Sequence, residues 1–130
     1  MTAASCLCGS VRFEIAGLIH SPRYCHCSNC RKFSGTAYAA WGLAQMSEFK
    51  LTAGENCVTR YESGAGYRVF CGRCGSPLWF EPAGLPHYLG IPLGVLDGDD
   101  APSPKMHVWM SSKVSWVQIA DGLPQHKTYP

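Results

Sequence analysis

Hydrophobic residues recur along the chain in short extended patterns separated by turn-forming residues. Val11, Phe13 and Ile15 alternate with the charged Arg12 and Glu14, which is the period-two pattern of a half-buried strand. Gly, Ser and Pro clusters separate the further strands that we predict. These strands cover residues 36–43, 49–52, 57–62, 67–70, 78–80, 87–96 with an interruption at Pro92, and 107–110. The pattern therefore predicts a mainly β, mainly antiparallel fold.

Helical periodicity is almost absent from the chain. The clearest helical turn is predicted over residues 28–33, where Ser28 or Asn29 is the expected cap. A second short turn is predicted over residues 44–48. We therefore expect little helix in the fold.

Length and composition favour a small domain that gains from a metal. The chain has 130 residues, of which 46% are hydrophobic and 15% charged, with 14 glycines and 9 prolines. This is enough apolar material for one core, so we expect a single domain over residues 1–130. A small, turn-rich domain of this kind is often stabilised by a bound metal.

Charge and cysteine content limit the function classes. The formal charge of +2 counts every thiol as neutral, and Arg31-Lys32 is the longest basic run, so we expect no nucleic-acid partner. We find no signal-peptide pattern at Met1–Ser5 and no membrane-spanning apolar stretch, and we expect a cytoplasmic location. Eight cysteines in a reducing compartment favour metal binding over disulfides, which remain the weaker alternative.

Four of the cysteines predict a closed structural metal site. Cys71 and Cys74 form a zinc knuckle between two predicted strands, and such a knuckle needs two more sulfurs. Cys6 and Cys8 are the natural partners, because residues two apart in extended chain point to the same face. We therefore expect a structural zinc on these four residues.

The segment Cys25-His26-Cys27-Ser28-Asn29-Cys30 predicts a second, open site. Three thiolates on zinc leave a fourth position for water or substrate. The alternative is a second closed structural site, completed by His26, another histidine or Cys57. We favour the open site, with His26 in a hydrogen bond behind the ligands and Cys57 as a small core residue.

At this point the motifs resemble a known family. The run Cys25–Gly35 resembles the signature of the glutathione-dependent formaldehyde-activating enzyme and centromere protein V family. Four further segments are similar to its other motifs: Cys6–Phe13, Phe70–Ser76, His107–Lys113 and Asp121–Pro124. The resemblance implies a β-tent fold of several small coiled sheets. It also implies two zinc ions, a structural one on the four cysteines above and an active-site one on Cys25, Cys27 and Cys30.

The resemblance implies a carbon–sulfur lyase that acts on the adduct of glutathione, or another small thiol, with an aldehyde such as formaldehyde, in detoxification. We expect Cys25, Cys27 and Cys30 to be the catalytic zinc ligands. Glutathione carries two carboxylates and one ammonium, so its site needs cations and an acid. The predicted substrate contacts are Arg31, Lys32 and His26, with Arg68 and Arg73 as further cations near the cysteine motifs.

Two other functions remain as alternatives. One is a non-enzymatic binding module stabilised by zinc, and the other is a sensor of thiols or metals that uses a labile second zinc. The sequence leaves open whether the protein forms a homodimer. It also leaves open which thiol and which aldehyde the site would take.

Overall fold

Strands dominate the structure, a computed structural model that describes residues 1–99 and 101–130. One α-helix, α1, spans Ser28–Ser34. The described strands are β1 Thr2–Ser5, β2 Arg12–Ile15, β3 His20–Cys25, β4 Ala39–Gln45, β5 Phe49–Ala53, β6 Val58–Glu62, β7 Gly66–Cys71, β8 Pro77–Pro82, β9 Tyr88–Pro92 and β10 His107–Val108. The prediction of a mainly β fold with little helix is confirmed.

The strands form two sheets of different size. The smaller sheet has the order β1-β2-β5 and is antiparallel. The larger sheet has the order β10-β3-β4-β9-β8-β7-β6 and is antiparallel except for the pairing of β10 with β3. This parallel pairing brings the C-terminal segment alongside the strand that leads into the second cysteine motif.

The main core lies between the two sheets. The alternation that starts at Val11 buries the side chains of Phe13 and Ile15. The Phe13 ring packs against Phe49 and Trp79, with ring centroids 5.1 and 5.5 Å apart. Because Phe13 lies on β2 and Trp79 on β8, these contacts join the smaller sheet to the larger one.

Several strand boundaries differ from those predicted. The strands β1 and β3 were not predicted, since neither shows a clear alternation of hydrophobic and polar residues. The segment 87–96 is a strand as far as Pro92 and then turns into a 3₁₀ helix at Leu93–Val95. The last strand ends at Val108 rather than at residue 110, because Trp109 has a φ of 59° and leaves the extended conformation.

The predicted helix is present, but its cap is a cysteine. The residue before α1 is Cys27, whose Sγ accepts a hydrogen bond from the Cys30 backbone N–H at 3.3 Å. The prediction of Ser28 or Asn29 as the cap was therefore wrong, since a thiol takes the place of the usual hydroxyl or carboxylate. At the other end, Gly35 adopts a φ of 68° and donates to the Arg31 carbonyl oxygen. Within the described residues, no helix has both the length and the apolar character to cross a membrane.

Candidate metal centres and adjoining cavities

One group of four cysteines, which we call the closed cluster, has the geometry of a closed metal site. The sulfurs of Cys6, Cys8, Cys71 and Cys74 all lie within 4.8 Å of one another. The Cys6–Cys8 and Cys8–Cys71 sulfur pairs are 3.6 and 3.9 Å apart. Four thiolates around a tetrahedral zinc, each with a bond of about 2.3 Å, would have sulfurs about 3.8 Å apart. The residues therefore fit a zinc ion, and these distances are too long for a disulfide.

Two turns, rather than an extended segment, bring these sulfurs together. Cys6 and Cys8 lie in a turn in which the Gly9 N–H donates to the Cys6 carbonyl oxygen at 3.0 Å. The Cys71–Cys74 segment forms a turn that is one residue wider, with the Gly75 N–H on the Cys71 carbonyl oxygen at 2.7 Å. Both glycines have a positive φ, of 78° and 80°. The expected extended geometry at Cys6–Cys8 was wrong, because a tight turn places both sulfurs on one side just as well.

Local hydrogen bonds and burial act in opposite directions on these four thiols. The Ser76 hydroxyl lowers the pKa of Cys74 to about 5, and the Ser10 hydroxyl lowers the pKa of Cys8. Burial instead raises the pKa of Cys71 to about 11. The site thus supports some negative charge by itself, but full deprotonation of the four sulfurs requires a cation.

A second group, which we call the open cluster, contains three cysteines, Cys25, Cys27 and Cys30. Cys25 ends β3, Cys27 caps α1 and Cys30 lies in its first turn, and their sulfurs lie within 4.8 Å of one another. Among residues 1–99 and 101–130, no fourth His, Cys, Asp or Glu joins this group. His26 and Cys57, the two named candidates for a fourth ligand, lie elsewhere: His26 bonds to another histidine and Cys57 packs against the main core.

The three thiols of this open cluster compete for protons. Hydrogen bonds from the Cys25 and Cys30 thiols hold the pKa of Cys27 far below its usual range. The contact with Cys25 raises the pKa of Cys30 strongly, and the contact with Cys27 raises the pKa of Cys25. One negative charge is therefore easily accommodated on Cys27, whereas three require a cation. This donor set also fits zinc.

A chain of hydrogen bonds runs from His26, which lies between Cys25 and Cys27 in sequence, to the partly exposed Asp121. His26 Nε2 lies 2.9 Å from His107 Nδ1, and His107 Nε2 lies 2.7 Å from Asp121 Oδ2. Both rings have no exposed surface. Because the carboxylate can only accept, His107 Nε2 carries a proton and donates to Asp121. Burial, with a smaller effect of His107, lowers the pKa of His26 to about 4, so His26 is neutral near pH 7.

The open cluster lies in the wall of a large cavity, which we call the apolar chamber. Its volume is about 470 Å³. Beside the three cysteines, its wall contains six aromatic side chains: Phe33, Tyr38, Trp41, Trp79, Phe80 and Tyr129. Prolines, glycines and aliphatic residues, with the hydroxyl residues Ser34 and Thr36, complete it, and Arg68 is the one charged side chain among its described lining residues. A molecule that reached the sulfurs from this side would be surrounded mainly by apolar groups.

A second cavity of about 400 Å³ shares part of its wall with the apolar chamber. Phe33 and Arg68 line both. The other lining residues of this cavity, which we call the polar cavity, are Asn29, Lys32, Tyr61, Glu62 and Ser63. The Arg68 guanidinium lies over the Phe80 ring at 4.0 Å, and no described carboxylate pairs with it. The polar cavity thus presents two cations and one acid next to the open cluster.

The predicted substrate contacts differ in whether they line one of the two cavities. Lys32 lines the polar cavity, whereas Arg31 donates from Nε to the His26 carbonyl oxygen and lines neither of the two cavities. His26 is fully buried, and Tyr38 stacks on it at 4.6 Å on the side of the apolar chamber. Arg73 donates to Ser10 beside the closed cluster instead.

Sequence reasoning missed several residues around the open cluster. Asp121 was named only in a motif of the family resemblance, and no local pattern indicated its hydrogen bond to His107, fourteen positions away. Glu62 was not considered, because it is far in sequence from the cysteine motifs. Trp41 and Trp79 of the chamber wall were expected to be packing residues, and the other aromatic residues of the wall were not singled out. Their density near the cysteines was the one available signal, since Trp79 and Phe80 closely follow the zinc knuckle.

Comparisons with known proteins agree with the resemblance inferred from the cysteine motifs. The family model described as glutathione-dependent formaldehyde-activating enzyme matches residues 1–112. A Halomonas elongata protein named as such an enzyme is 30% identical over 123 residues, which cover 88% of this chain and 78% of that protein. An uncharacterized lyase of Schizosaccharomyces pombe is 28% identical over 78 residues, which cover 58% of this chain and 54% of that protein.

A solved structure supports the fold. The crystal structure of a Rhodobacter sphaeroides protein superposes with a TM-score of 0.64 at 24% sequence identity. The match covers 78% of this chain and 97% of that protein. At this identity the likeness concerns the fold alone.

Proposed function

Because the chain belongs to the family of glutathione-dependent formaldehyde-activating enzymes, we propose that it is a zinc-dependent carbon–sulfur lyase for the adduct of a small thiol with an aldehyde. Family membership makes it an enzyme, and carbon–sulfur lyase chemistry is consistent with the names of its relatives. Glutathione is the proposed thiol, and formaldehyde is the simplest aldehyde.

One observation carries the proposal: three cysteine sulfurs converge in a cavity wall without a fourth protein ligand among the described residues. In proteins, zinc with three ligands keeps a position for an exogenous group, whereas four ligands close the site. A zinc ion held by Cys25, Cys27 and Cys30 would lower the pKa of an entering thiol, so that it binds as a thiolate at neutral pH. Cys6, Cys8, Cys71 and Cys74 would hold a structural zinc.

The proposed reaction needs only the thiol and the aldehyde as reactants. The thiol sulfur forms a bond to the carbonyl carbon, the carbon–oxygen double bond becomes single, and the thiol proton ends on the new hydroxyl oxygen. Cleavage of the adduct is the reverse of this sequence. The contribution of the chain is to position the two reactants beside the sulfurs in the chamber wall.

The polar cavity supports glutathione as the thiol. Glutathione has two carboxylates and one ammonium, and the cavity presents Lys32, Arg68 and Glu62. A carboxylate bound by a guanidinium makes charge-assisted hydrogen bonds, which are stronger than those between neutral groups. Since Arg68 also lines the apolar chamber, a tripeptide held in the polar cavity would have its neighbouring thiol close to the open cluster.

The decisive experiment measures exchange between free formaldehyde and its glutathione adduct by NMR. We expect the zinc-loaded protein to accelerate this exchange, and we expect Cys27→Ser to remove the acceleration. Protein that contains two zinc ions and still leaves the exchange rate unchanged would contradict the proposal. A Cys57→Ser variant is the matched control, because Cys57 belongs to neither cluster.

We also propose a location, a domain organisation and a limit on the partners of the chain. Eight unpaired cysteines are consistent with a reducing compartment, and we propose a cytoplasmic location. We likewise propose that residues 1–130 form one domain and that the chain has no nucleic-acid partner.

A further inference from the structure

We infer that the aldehyde taken by this protein carries an apolar, preferably aromatic, group that occupies the apolar chamber. The inference rests on the proposed function and narrows its substrate class. In the adduct, the carbon that is bonded to sulfur would carry this group in place of one hydrogen of the formaldehyde adduct. The bonds formed and broken are the same as for formaldehyde.

The size of the chamber is the first argument. Formaldehyde has two non-hydrogen atoms, so its size is comparable to that of a water molecule, which occupies about 30 Å³ in the liquid. The chamber has a volume of about 470 Å³, within the range of sites that hold drug-sized ligands. A protein that handled formaldehyde alone would leave most of this space unused.

The chemistry of the chamber wall is the second argument. Burial of a charged group in apolar surroundings is costly unless a partner compensates it. Arg68 is the one charged residue among the described lining residues of the chamber, so the chamber cannot match the three charges of glutathione. Those charges match the polar cavity instead, which leaves the chamber for the other half of the adduct. The aromatic side chains of the wall favour an aromatic or aliphatic group.

The position of the chamber is the third argument. Cys25, Cys27 and Cys30 are themselves part of its wall, so a group attached to the reacting carbon starts at the sulfurs and extends into it. On the outer side, Leu85 and Tyr129 line the chamber and remain 44% and 56% exposed. The chamber is therefore connected to solvent, and a substrate of this class has a route of entry.

Two stable thioethers test the inference without requiring turnover. S-benzylglutathione mimics an adduct with an aromatic group, and S-methylglutathione mimics the one-carbon adduct. Calorimetric titration of the zinc-loaded protein should show that the benzyl compound binds about ten- to a hundredfold more tightly, as expected for burial of a phenyl group. Equal affinities would overturn the inference.

A variant that fills the chamber sharpens the test. Gly94 lines the chamber, has no positive φ, and a Cβ built on it meets no atom within 4 Å. Gly94→Leu should lower the affinity for S-benzylglutathione at least about tenfold and leave S-methylglutathione nearly unchanged. Gly84 shares these backbone and space properties but does not line the chamber, so Gly84→Leu is the control and should change neither affinity. An unchanged benzyl affinity in Gly94→Leu would count against the inference.

A second pair of probes separates this inference from the proposed function. Binding of 2-phenylethanethiol and 2-mercaptoethanol is followed by the fluorescence of the tryptophans in the chamber wall. If neither glutathione thioether binds but 2-phenylethanethiol binds in a Gly94→Leu-sensitive way, the chamber assignment stands and glutathione is wrong. If exchange with formaldehyde is accelerated but the two thioethers bind equally, the proposed function stands and the chamber assignment is wrong. If no probe binds, both are wrong.

Discussion

The two cysteine clusters use the same donor atom but differ in what holds them together. In the closed cluster the sulfurs come from two segments far apart in sequence, since Cys8 and Cys71 are 63 positions apart. In the open cluster all three sulfurs come from six consecutive residues, 25–30, at the junction of β3 and α1. A metal in the closed cluster would hold the chain together, whereas the chain itself holds the open cluster in place. The comparison suggests why the second cluster is suited to chemistry.

The surroundings of the clusters reinforce this difference. Cys6 and Cys71 belong to the main core, so loss of the metal there would leave buried thiolates or thiols in the packed interior. The open cluster belongs to a smaller core around Val108 and faces the apolar chamber. Its rear is fixed by the His26–His107–Asp121 chain, which does not depend on a metal.

The largest effect is expected from breaking the closed cluster. Cys71→Ser removes a ligand that is fully buried in the main core. Structural zinc contributes about 10–16 kcal/mol in zinc-finger peptides, while whole domains are stable by about 5–15 kcal/mol. We therefore expect the variant to lose its cooperative thermal transition, as measured by circular dichroism. Cys57→Ser is the control and should retain the transition, since Cys57 is only half-buried and outside both clusters.

A loss of function without a loss of fold is expected from the open cluster. Cys27→Ser should reduce the zinc content from two ions to one and abolish binding of glutathione. Serine is a good helix N-cap, so α1 should keep its cap. The melting temperature should fall by less than about 10 °C, because a loss of 1 kcal/mol shifts it by only a few degrees at this size. If this variant unfolds as completely as Cys71→Ser, the two clusters do not differ in role.

A smaller effect is expected where the polar cavity meets the apolar chamber. Arg68→Gln removes a cation that has no described carboxylate partner and is free for an anionic substrate group. A hydrogen bond to a charged group contributes about 1.5–3 kcal/mol, so the Kd of glutathione should rise at least about tenfold in calorimetric titration. Arg60→Gln is the matched control, because Arg60 pairs with Glu81 and lines neither cavity. Equal effects of the two variants would remove Arg68 from the binding site.

The smallest effect is expected from the hydrogen-bond chain behind the open cluster. Asp121→Ala removes the acceptor for His107. Competition with a chelator should show that the zinc in the open cluster is bound less tightly. Loss of a group that contacts a metal ligand directly costs about 10–100-fold in affinity, so this more distant change should cost less than about tenfold. Asp121→Asn retains an acceptor oxygen and should restore most of the affinity. A selective loss of zinc from the closed cluster would contradict this assignment.

The cysteine motifs could be predicted because ligand spacing is a local property. Cys71 and Cys74 lie three apart between strands, and Cys25, Cys27 and Cys30 fall within six residues, so each motif is visible in the local sequence. The short helix at Ser28–Ser34 was predicted for the same reason. The pairing of Cys6 and Cys8 with the knuckle is a long-range contact, and it was predicted because a knuckle needs two more sulfurs. The family resemblance was then confirmed by the comparisons.

What could not be predicted depends on distant parts of the chain. The apolar chamber combines Trp41 on β4, Phe80 on β8 and Tyr129 near the C-terminus, and no local pattern brings these together. The Asp121–His107 contact lies beside the parallel bridge between His107 and Gln125, which is invisible in periodicity. The strand end at Val108 follows from the left-handed conformation of Trp109, a conformation unusual for a large residue.

The central claim is that one metal is saturated by protein sulfur and the other is not. Cadmium NMR of the cadmium-loaded protein tests it most directly, because the chemical shift reports the ligands of each ion. We predict two resonances, of which addition of glutathione moves one and leaves the other unchanged. Two resonances that both lie where a four-sulfur site is expected, before any thiol is added, would contradict the claim, since protein sulfurs would then saturate both metals.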